Sequence, residues 1–379
     1  MIETITIDRF SELLDGDTAF ALLDTRPPES YEAWHAPGAK NVPFEPTEDV
    51  SDRLEEIREA VGDHERVLTI CGKGVSSGTL AAKLARATDA YDVVAVEGGM
   101  NAWSRVYHRV PVDVPGATIV QLQRRSKGCL SYLVGDPETG SALAVDPTAD
   151  LEAVFAAAGE YGLRIEGVLD THVHADHVSG GRDLATRLEV PYYLPERAAS
   201  RGVEHAFEPL EDGQTLAIGG LEFRVLHTPG HTSDGISLLV DDRAVLTADT
   251  LHAEAVGRTE LEFGDEDAER GARLLYDSLH GTLLELPDDV VVLPGHVGVS
   301  TDGRFQTGIP REAISTTVGT ARTAIEALSL AEDAFVDRLA AAGDKPENYE
   351  TIIAINRGAR ALDPDERVEL EIGPNNCSA

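Results

Sequence analysis

Cysteine and lysine are scarce in this chain. Its three cysteines, Cys71, Cys129 and Cys377, are scattered over 379 residues, too few and too far apart for a disulfide framework, which fits a reducing compartment. No stretch approaches the roughly 18 consecutive apolar residues of a membrane-spanning helix. The opening MIETITIDRF has neither the basic nor the apolar region of a secretory signal, so a cytoplasmic location is expected. Cations are the second shortage: 32 Lys plus Arg, five of them lysine, stand against 67 Asp plus Glu, a formal net charge of -35. A field of that sign repels nucleic-acid phosphates and anionic lipid, so neither nucleic acid nor a membrane is an expected partner. Hydrophobic residues still make up 42%, which argues against a disordered acidic chain. The acidity reads as a solvated shell, a halophilic adaptation to intracellular salt that screens self-repulsion.

The length allows two or three domains of roughly 100–200 residues. In the first hundred residues short apolar strands, FALLD (20–24), VLTI (67–70) and DVVAV (92–96), alternate with helical stretches such as SDRLEEIREAVG and TLAAKLARA. That alternation predicts a small parallel α/β domain over 1–112. VPVDVPGA (110–117) has two prolines, a glycine and no helical period, and reads as a linker centred on 113–117. From 118 the texture changes to paired strands (TIVQLQ, CLSYLVG, SALAVD, later EFRVLH, ISLLV, AVLTA, VVVLP) with a helix at 150–161. Two sheet layers flanked by helices are expected over 118–300. Ile314, Val318, Ala321, Ile325 and Leu328 recur at helical spacing, predicting a packing helix within a helical extension over 301–362. Residues 363–379 read as a loose tail, with Cys377 incidental.

The segment THVHADHVSGG (171–181) crowds His172, His174, Asp176 and His177 together. Imidazole beside carboxylate suits zinc or iron rather than calcium. Three further segments repeat the arrangement of an apolar strand that ends in a ligand-type residue: VLHTPG before His231, AVLTA before Asp249 and VVVLPG before His296. Incidental surface histidines would account for one such segment, but four point to one metal cluster presented at strand ends.

This order, HxHxDH, PGHT, AD and PGH, resembles the metallo-β-lactamase superfamily. The resemblance implies an αββα sandwich in which His172, His174 and His231 face one metal position, Asp176, His177 and His296 a second, with Asp249 between. Stretches including SKGCLSYLVGD (126–136), TADTLHAEAVGRTEL (247–261) and KPENYETIIAINRG (345–358) are similar to persulfide dioxygenases and the related glyoxalase II hydrolases. The dioxygenase resemblance implies one Fe(II) held by His172, His231 and Asp249, with His174, Asp176, His177 and His296 orienting ligands and water. In a hydrolase those four would instead hold a second metal, giving two zinc or mixed metals and a bridging water. Arg258 is implied to pair with a thiol substrate's carboxylate, the alternative being an ion pair with Glu260 or Asp265. Cys129 reads as a core residue. Ala248 stands where the family often has glycine, and Val297 and Gly298 depart from its usual acidic or aromatic pair.

In the first domain, VLTICGKGVSSG (67–78) places Cys71 at the head of a glycine-rich turn followed at once by a helix. Turn amides and a helix N-terminus favour thiolate, and Lys73 is expected to strengthen this; a buried inert cysteine is the alternative. With LLDTRPPESYEAWHAPGAKNVP (22–43) and VEGGMNAW (96–103), this loop resembles the rhodanese family. The resemblance implies that Cys71 carries sulfane sulfur as a persulfide received from thiosulfate or another donor. Ser76 stands where many members have arginine, so thiosulfate binding would rest on Lys73 and the loop amides; Arg26 is expected to buttress the loop. The joint expectation is a small rhodanese-like α/β domain followed by a metallo-β-lactamase sandwich with a helical extension, acting as a persulfide dioxygenase with an attached sulfurtransferase. Its small-molecule partners would be a low-molecular-weight thiol persulfide, thiosulfate or sulfite, and O2. The alternative is a glyoxalase II-like thioester hydrolase, and homo-oligomerisation is left open.

Overall fold

The structure, a computed structural model, describes residues 2–371 except 265–266, 341–347, 364–365 and 368–369. Lys345, Asp265, Cys377 and the end of the tail lie outside the described residues. The first unit is a parallel sheet in the order Glu3–Ile5, Asp92–Val96, Arg66–Ile70, Ala21–Asp24, Ala39–Asn41. A parallel sheet is covered on both faces, which is why its strands read as continuous apolar runs. One face packs on Phe10, Trp34 and Trp103, the other on Ile57, Leu80 and Leu84 from the helices Leu54–Val61 and Val75–Ala87.

The second unit is a sandwich of a seven-stranded and a six-stranded sheet. Val134, Leu143, Phe223 and Leu246 meet between the layers. The helices Leu151–Tyr161 and Gly181–Leu188 cover one outer face and Ala268–Gly281 the other, so the layers run αββα. No helix among the described residues is long and apolar enough to cross a membrane.

Three boundaries differ from the sequence expectation. Tyr107–Val112 is not part of the first unit. It is the edge strand of the seven-stranded sheet, antiparallel to Thr118–Arg124, so 113–117 is a hairpin connection rather than an interdomain linker. Proline is tolerated on an edge strand, where its missing N–H faces outward, and Pro111 disguised a segment whose His108, Val110 and Val112 point inward. The predicted helix at 314–328 is shorter: Thr316–Thr317 pairs with Val291 and Val292, and only Val318–Ala324 is α-helical. All five of its periodic apolar residues are buried, so the pattern marked a packed face and not the length of the helix. Finally, Glu371, in the expected loose tail, is 4% exposed and paired with Arg124 at 3.2 Å.

The two units meet through charge and hydrogen bonds. Asp15, in the first unit, faces Arg125 at 3.4 Å, Arg311 at 2.9 Å and His108 at 3.4 Å, while Ser11 bonds His108 at 3.0 Å. Arg125 also lies over Trp103 and Phe305 and donates to the Gly303 carbonyl at 2.9 Å.

Burial pushes the His108 pKa down to about 4; Arg311, Arg125 and Arg109 push the same way and Asp15 opposes them. Between the ordinary histidine pKa of 6.5 and about 4 the unfolded chain binds the proton and the folded one does not. Folding stability should therefore be full above that window and fall as pH drops through it. His108→Asn should flatten the stability slope between those pH values relative to the parent in urea unfolding curves; an unchanged slope would show that His108 is not the titrating group.

Candidate metal centre and sulfur-transfer loop

Each expected ligand follows a buried strand. Arg164–Leu169 leads to the histidine-rich loop, Leu221–His227 to His231, Ala244–Ala248 to Asp249, and Val291–Pro294 to His296. Fixing ligands at strand ends requires sharp turns. Ala248 adopts φ 47°, in the left-handed region that costs a residue with a Cβ about 1 kcal/mol or more, which is the physical reason glycine suits this position. A Cβ on Gly257 would stand 1.8 Å from the Asp249 carbonyl, so only glycine lets this loop close over the aspartate.

The structure brings His172, His231 and Asp249 together, with one ligand atom from each within 4.8 Å of the others. None of the three is more than 3% exposed. His231 Nε2 is 3.6 Å from Asp249 Oδ2, while its Nδ1 is 2.7 Å from the Arg258 carbonyl. A carbonyl only accepts, so Nδ1 carries a proton and Nε2 is the nitrogen turned toward the aspartate. His172 Nδ1 is likewise engaged by Thr171 Oγ1 at 3.0 Å. His172 Nε2 and Asp249 Oδ1 are buried without a hydrogen-bond partner. Buried imidazole and carboxylate atoms left unpaired are costly, and a cation shared by them removes that cost. The donor set therefore fits a resident metal.

The His174 ring lies 4.2 Å from that of His172, but its nitrogens face other carboxylates, Nδ1 lying 3.8 Å from Asp176 Oδ1. Its Nε2 lies 3.1 Å from Asp146 Oδ1 and 3.9 Å from Asp170 Oδ1. Burial and His177 oppose its protonation, but the two carboxylates outweigh them and raise its pKa. Asp176 gathers the remaining residues: His177 Nδ1 at 3.0 Å and His296 Nδ1 at 3.5 Å. Burial would raise the Asp176 pKa, but His177 and His296 hold it well below the carboxylate range.

Three contributors were not expected from sequence. Cys129 is buried as predicted, yet its Sγ points at Asp176 Oδ2, 3.7 Å away, and it can share a cation with Asp176 and His296. Burial would raise its pKa, but hydrogen bonds from His177 and His296 bring it down to about 6. Its pairing with His296 across an isolated bridge has no signature in local sequence. Asp146 bonds the Thr171 backbone at 2.7 Å as well as His174. His252 touches the His296 carbonyl at 3.2 Å and lines a cavity of about 140 Å3 with Glu254, Val297, Gln306 and Thr307. The guanidinium of Arg258 is engaged by Glu260, the ion pair expected as the alternative to a substrate contact, and its carbonyl orients His231.

In the first unit Cys71 is 3% exposed. Its sulfur accepts from the Gly74 N–H at 3.1 Å and the Ser77 hydroxyl at 3.2 Å. Burial would raise the thiol pKa, but the Ser76 and Ser77 hydroxyls and the backbone amides of Ser77 and Lys73 lower it. Lys73 is exposed, and its backbone amide contributes to that lowering. Arg26 binds Asp24 and the Trp34 carbonyl, each at 2.6 Å, while the neighbouring Thr25 reaches the loop, its hydroxyl 2.9 Å from that of Ser76.

Comparison with known proteins agrees with this geometry. Residues 125–296 match the metallo-beta-lactamase superfamily and residues 6–106 the rhodanese-like domain. The chain is 34% identical to a hydroxyacylglutathione hydrolase of Rhodopseudomonas palustris (strain HaA2), over 48% of this chain and 67% of that protein. It is 31% identical to the mitochondrial persulfide dioxygenase ETHE1 of Homo sapiens, over 49% of this chain and 72% of that one. It thus spans about two thirds of the length of these relatives. The crystal structure of ETHE1 from Myxococcus xanthus superposes with a TM-score of 0.55 at 28% identity, covering 64% of this chain and 98% of that one. With both of its units matched, the chain belongs to the metallo-beta-lactamase superfamily and carries a rhodanese-like domain ahead of its sandwich.

Proposed function

We propose that the chain is a persulfide dioxygenase with an attached sulfurtransferase, converting a thiol persulfide, O2 and water into thiol and sulfite. The observation that carries this reading is that His172, His231 and Asp249 converge while His174 Nε2 is engaged by Asp146, which gives two imidazoles and one carboxylate at the first position. Such a facial set suits non-haem Fe(II) and keeps the opposite side open to substrate. Iron bound there would supply the one-electron chemistry that lets O2 react with a sulfur anion. The chain's own residues hold the geometry: the Arg258 carbonyl and Thr171 lock the rings of His231 and His172. The centre's burial keeps bulk water from the reacting sulfur. Cys71, with its serine and amide donors, would pass sulfane sulfur to or from a thiol, and the fusion lets one site's product reach the other at raised local concentration. The acidic surface disfavours polyanionic partners.

A thioester hydrolase with a dinuclear centre is the second reading, favoured by one observation: Asp176 also has cation-compatible neighbours, His174 with His177, and Cys129 with His296. Metal analysis separates the two, since the dioxygenase predicts about one iron and the hydrolase about two cations per chain.

Protein reconstituted with Fe(II) should consume oxygen and release an equal amount of sulfite when given a low-molecular-weight thiol persulfide; absence of uptake in an oxygen electrode would defeat the dioxygenase reading. Asp249→Ala should lose the iron and the oxygen uptake together. Cys71→Ser should abolish sulfur transfer from thiosulfate to a thiol yet leave uptake on preformed persulfide within about twofold, as expected of separate sites. Loss of both activities in a folded Cys71→Ser protein would show that the chemistries are not separable.

A further inference from the structure

The loop from His172 to Ser179 carries most of the centre but has no regular structure of its own, so its backbone groups need partners from elsewhere. The core supplies those at its start: Thr171 N–H donates to Asp146 at 2.7 Å and Val173 N–H to Asp234 at 2.9 Å. Further along, the partners come from the chain's far end. Asn356 Nδ2 donates to the carbonyls of His174 at 2.9 Å and His177 at 2.8 Å, and its Oδ1 accepts from the Ser179 N–H at 2.9 Å. Glu371 Oε1 accepts from the Val178 N–H at 2.7 Å, while its other oxygen meets Arg124 at 3.2 Å. Four main-chain groups on either side of His177 are therefore held by two side chains nearly 180 or more residues away. The helix Tyr349–Asn356 that presents Asn356 is itself seated there, with Ile353 against a cluster containing Val173.

We propose that Asn356 and Glu371 are positioning residues for the metal centre, and that their hold on the histidine-rich loop sets the cation affinity of a site whose ligands all lie before residue 300. An amide is suited to this role because it donates twice and accepts once in one plane, matching two carbonyls and an N–H. A carboxylate on Arg124 fixes the next N–H with a charge-assisted bond. Removing groups that orient ligands commonly lowers metal affinity by roughly 10- to 100-fold. The inference rests on the metal-site reading of His172, His231 and Asp249 and not on the reaction performed there.

Co(II) is the probe, because its visible ligand-field bands report coordination geometry and its affinity can be measured against a competing chelator. In the full-length protein, Asn356→Leu, of similar size but without polar atoms, and Asn356→Asp, which keeps the acceptor and loses both donors, should each weaken Co(II) binding by roughly 10- to 100-fold and change the bands. Glu371→Gln keeps an acceptor for Val178 and should have a smaller effect in the same direction. Urea unfolding of the metal-free proteins runs in parallel. Variants that are less stable without metal but bind Co(II) with the parent's affinity and spectrum would overturn the proposal, because the two residues would then hold the fold and not the site. If Asn356→Leu does not fold, Asn356→Asp and Glu371→Gln decide. A parent that binds no Co(II) would instead overturn the metal-site reading.

Discussion

The sandwich is organised around one electrostatic constraint. Asp146, Asp170, Asp176 and Asp249 are buried within the same cluster of loops, none more than 5% exposed, in a chain of net charge -35. Carboxylates out of water demand positive charge nearby. The imidazoles of His174, His177 and His296 meet part of that demand, as their raised pKa values show; burial works against all three, and His174 is held up by Asp146 and Asp170 while Asp176 holds up the other two. Around Asp249 the compensation runs out. Burial and the neighbouring His174 and His231 keep His172 well below its ordinary pKa, so it stays neutral and offers a lone pair instead of a charge. A neutral imidazole beside an unsatisfied carboxylate oxygen is the chemistry of a metal site, and the division of the histidines into charged and neutral sets separates one cation position from its surroundings.

That division depends on support that is mostly not made by ligands. The Arg258 carbonyl selects the His231 tautomer, and Glu260 pins the guanidinium of the same residue. Asp234 takes the Val173 N–H with one oxygen and Arg201 with the other, at 2.7 Å, and Arg201 reaches on to Glu262. Asn356 and Glu371 take the rest of the loop. Sequence distance is irrelevant to this scaffold: what matters is that main-chain groups along an irregular, buried loop are held by side chains from elsewhere in the fold, since a shift in the loop is a shift in the ligands.

The cluster of His172, His231 and Asp249 was legible in the sequence because metal chemistry restricts residue type and the strand ends restrict position. His172, His231 and Asp249 could be named from residue type, order and family resemblance, and so could the glycine-rich loop around Cys71. What was not legible has a common cause. Cys129 reads as a core residue because its neighbours Leu130 and Leu133 are core, and its apposition to His296 is a property of strand register. Glu371 reads as tail because a lone acidic residue in an acidic chain has no distinguishing local pattern. Tyr107–Val112 reads as the end of the first domain running into a linker because its proline is informative only once the strand is known to be an edge. Arg258 and Lys73 were singled out for their side-chain charge, which is visible in sequence, whereas the Arg258 carbonyl and the Lys73 N–H that serve the two sites are groups common to all residues and become significant only through their placement.

The contact between the units follows the same logic at a larger scale. The segment that follows His296 first lines the cavity beside the centre with Val297 and Gly298, then offers the Thr301 carbonyl to the His35 N–H at 3.0 Å and the Gly303 carbonyl to Arg125, and returns to the cavity at Gln306 and Thr307. One short loop is thus both a wall of the metal-side cavity and a seat for the rhodanese-like unit. Its shape is constrained at two points, by His296 at its start and by the other unit at its middle. The departure of Val297 and Gly298 from the family pattern falls in this doubly held loop. A Cβ at Gly298 would stand 2.1 Å from the end of the Gln306 side chain, which would have to turn aside, so the residue at this position sets how Gln306 lies along the cavity wall.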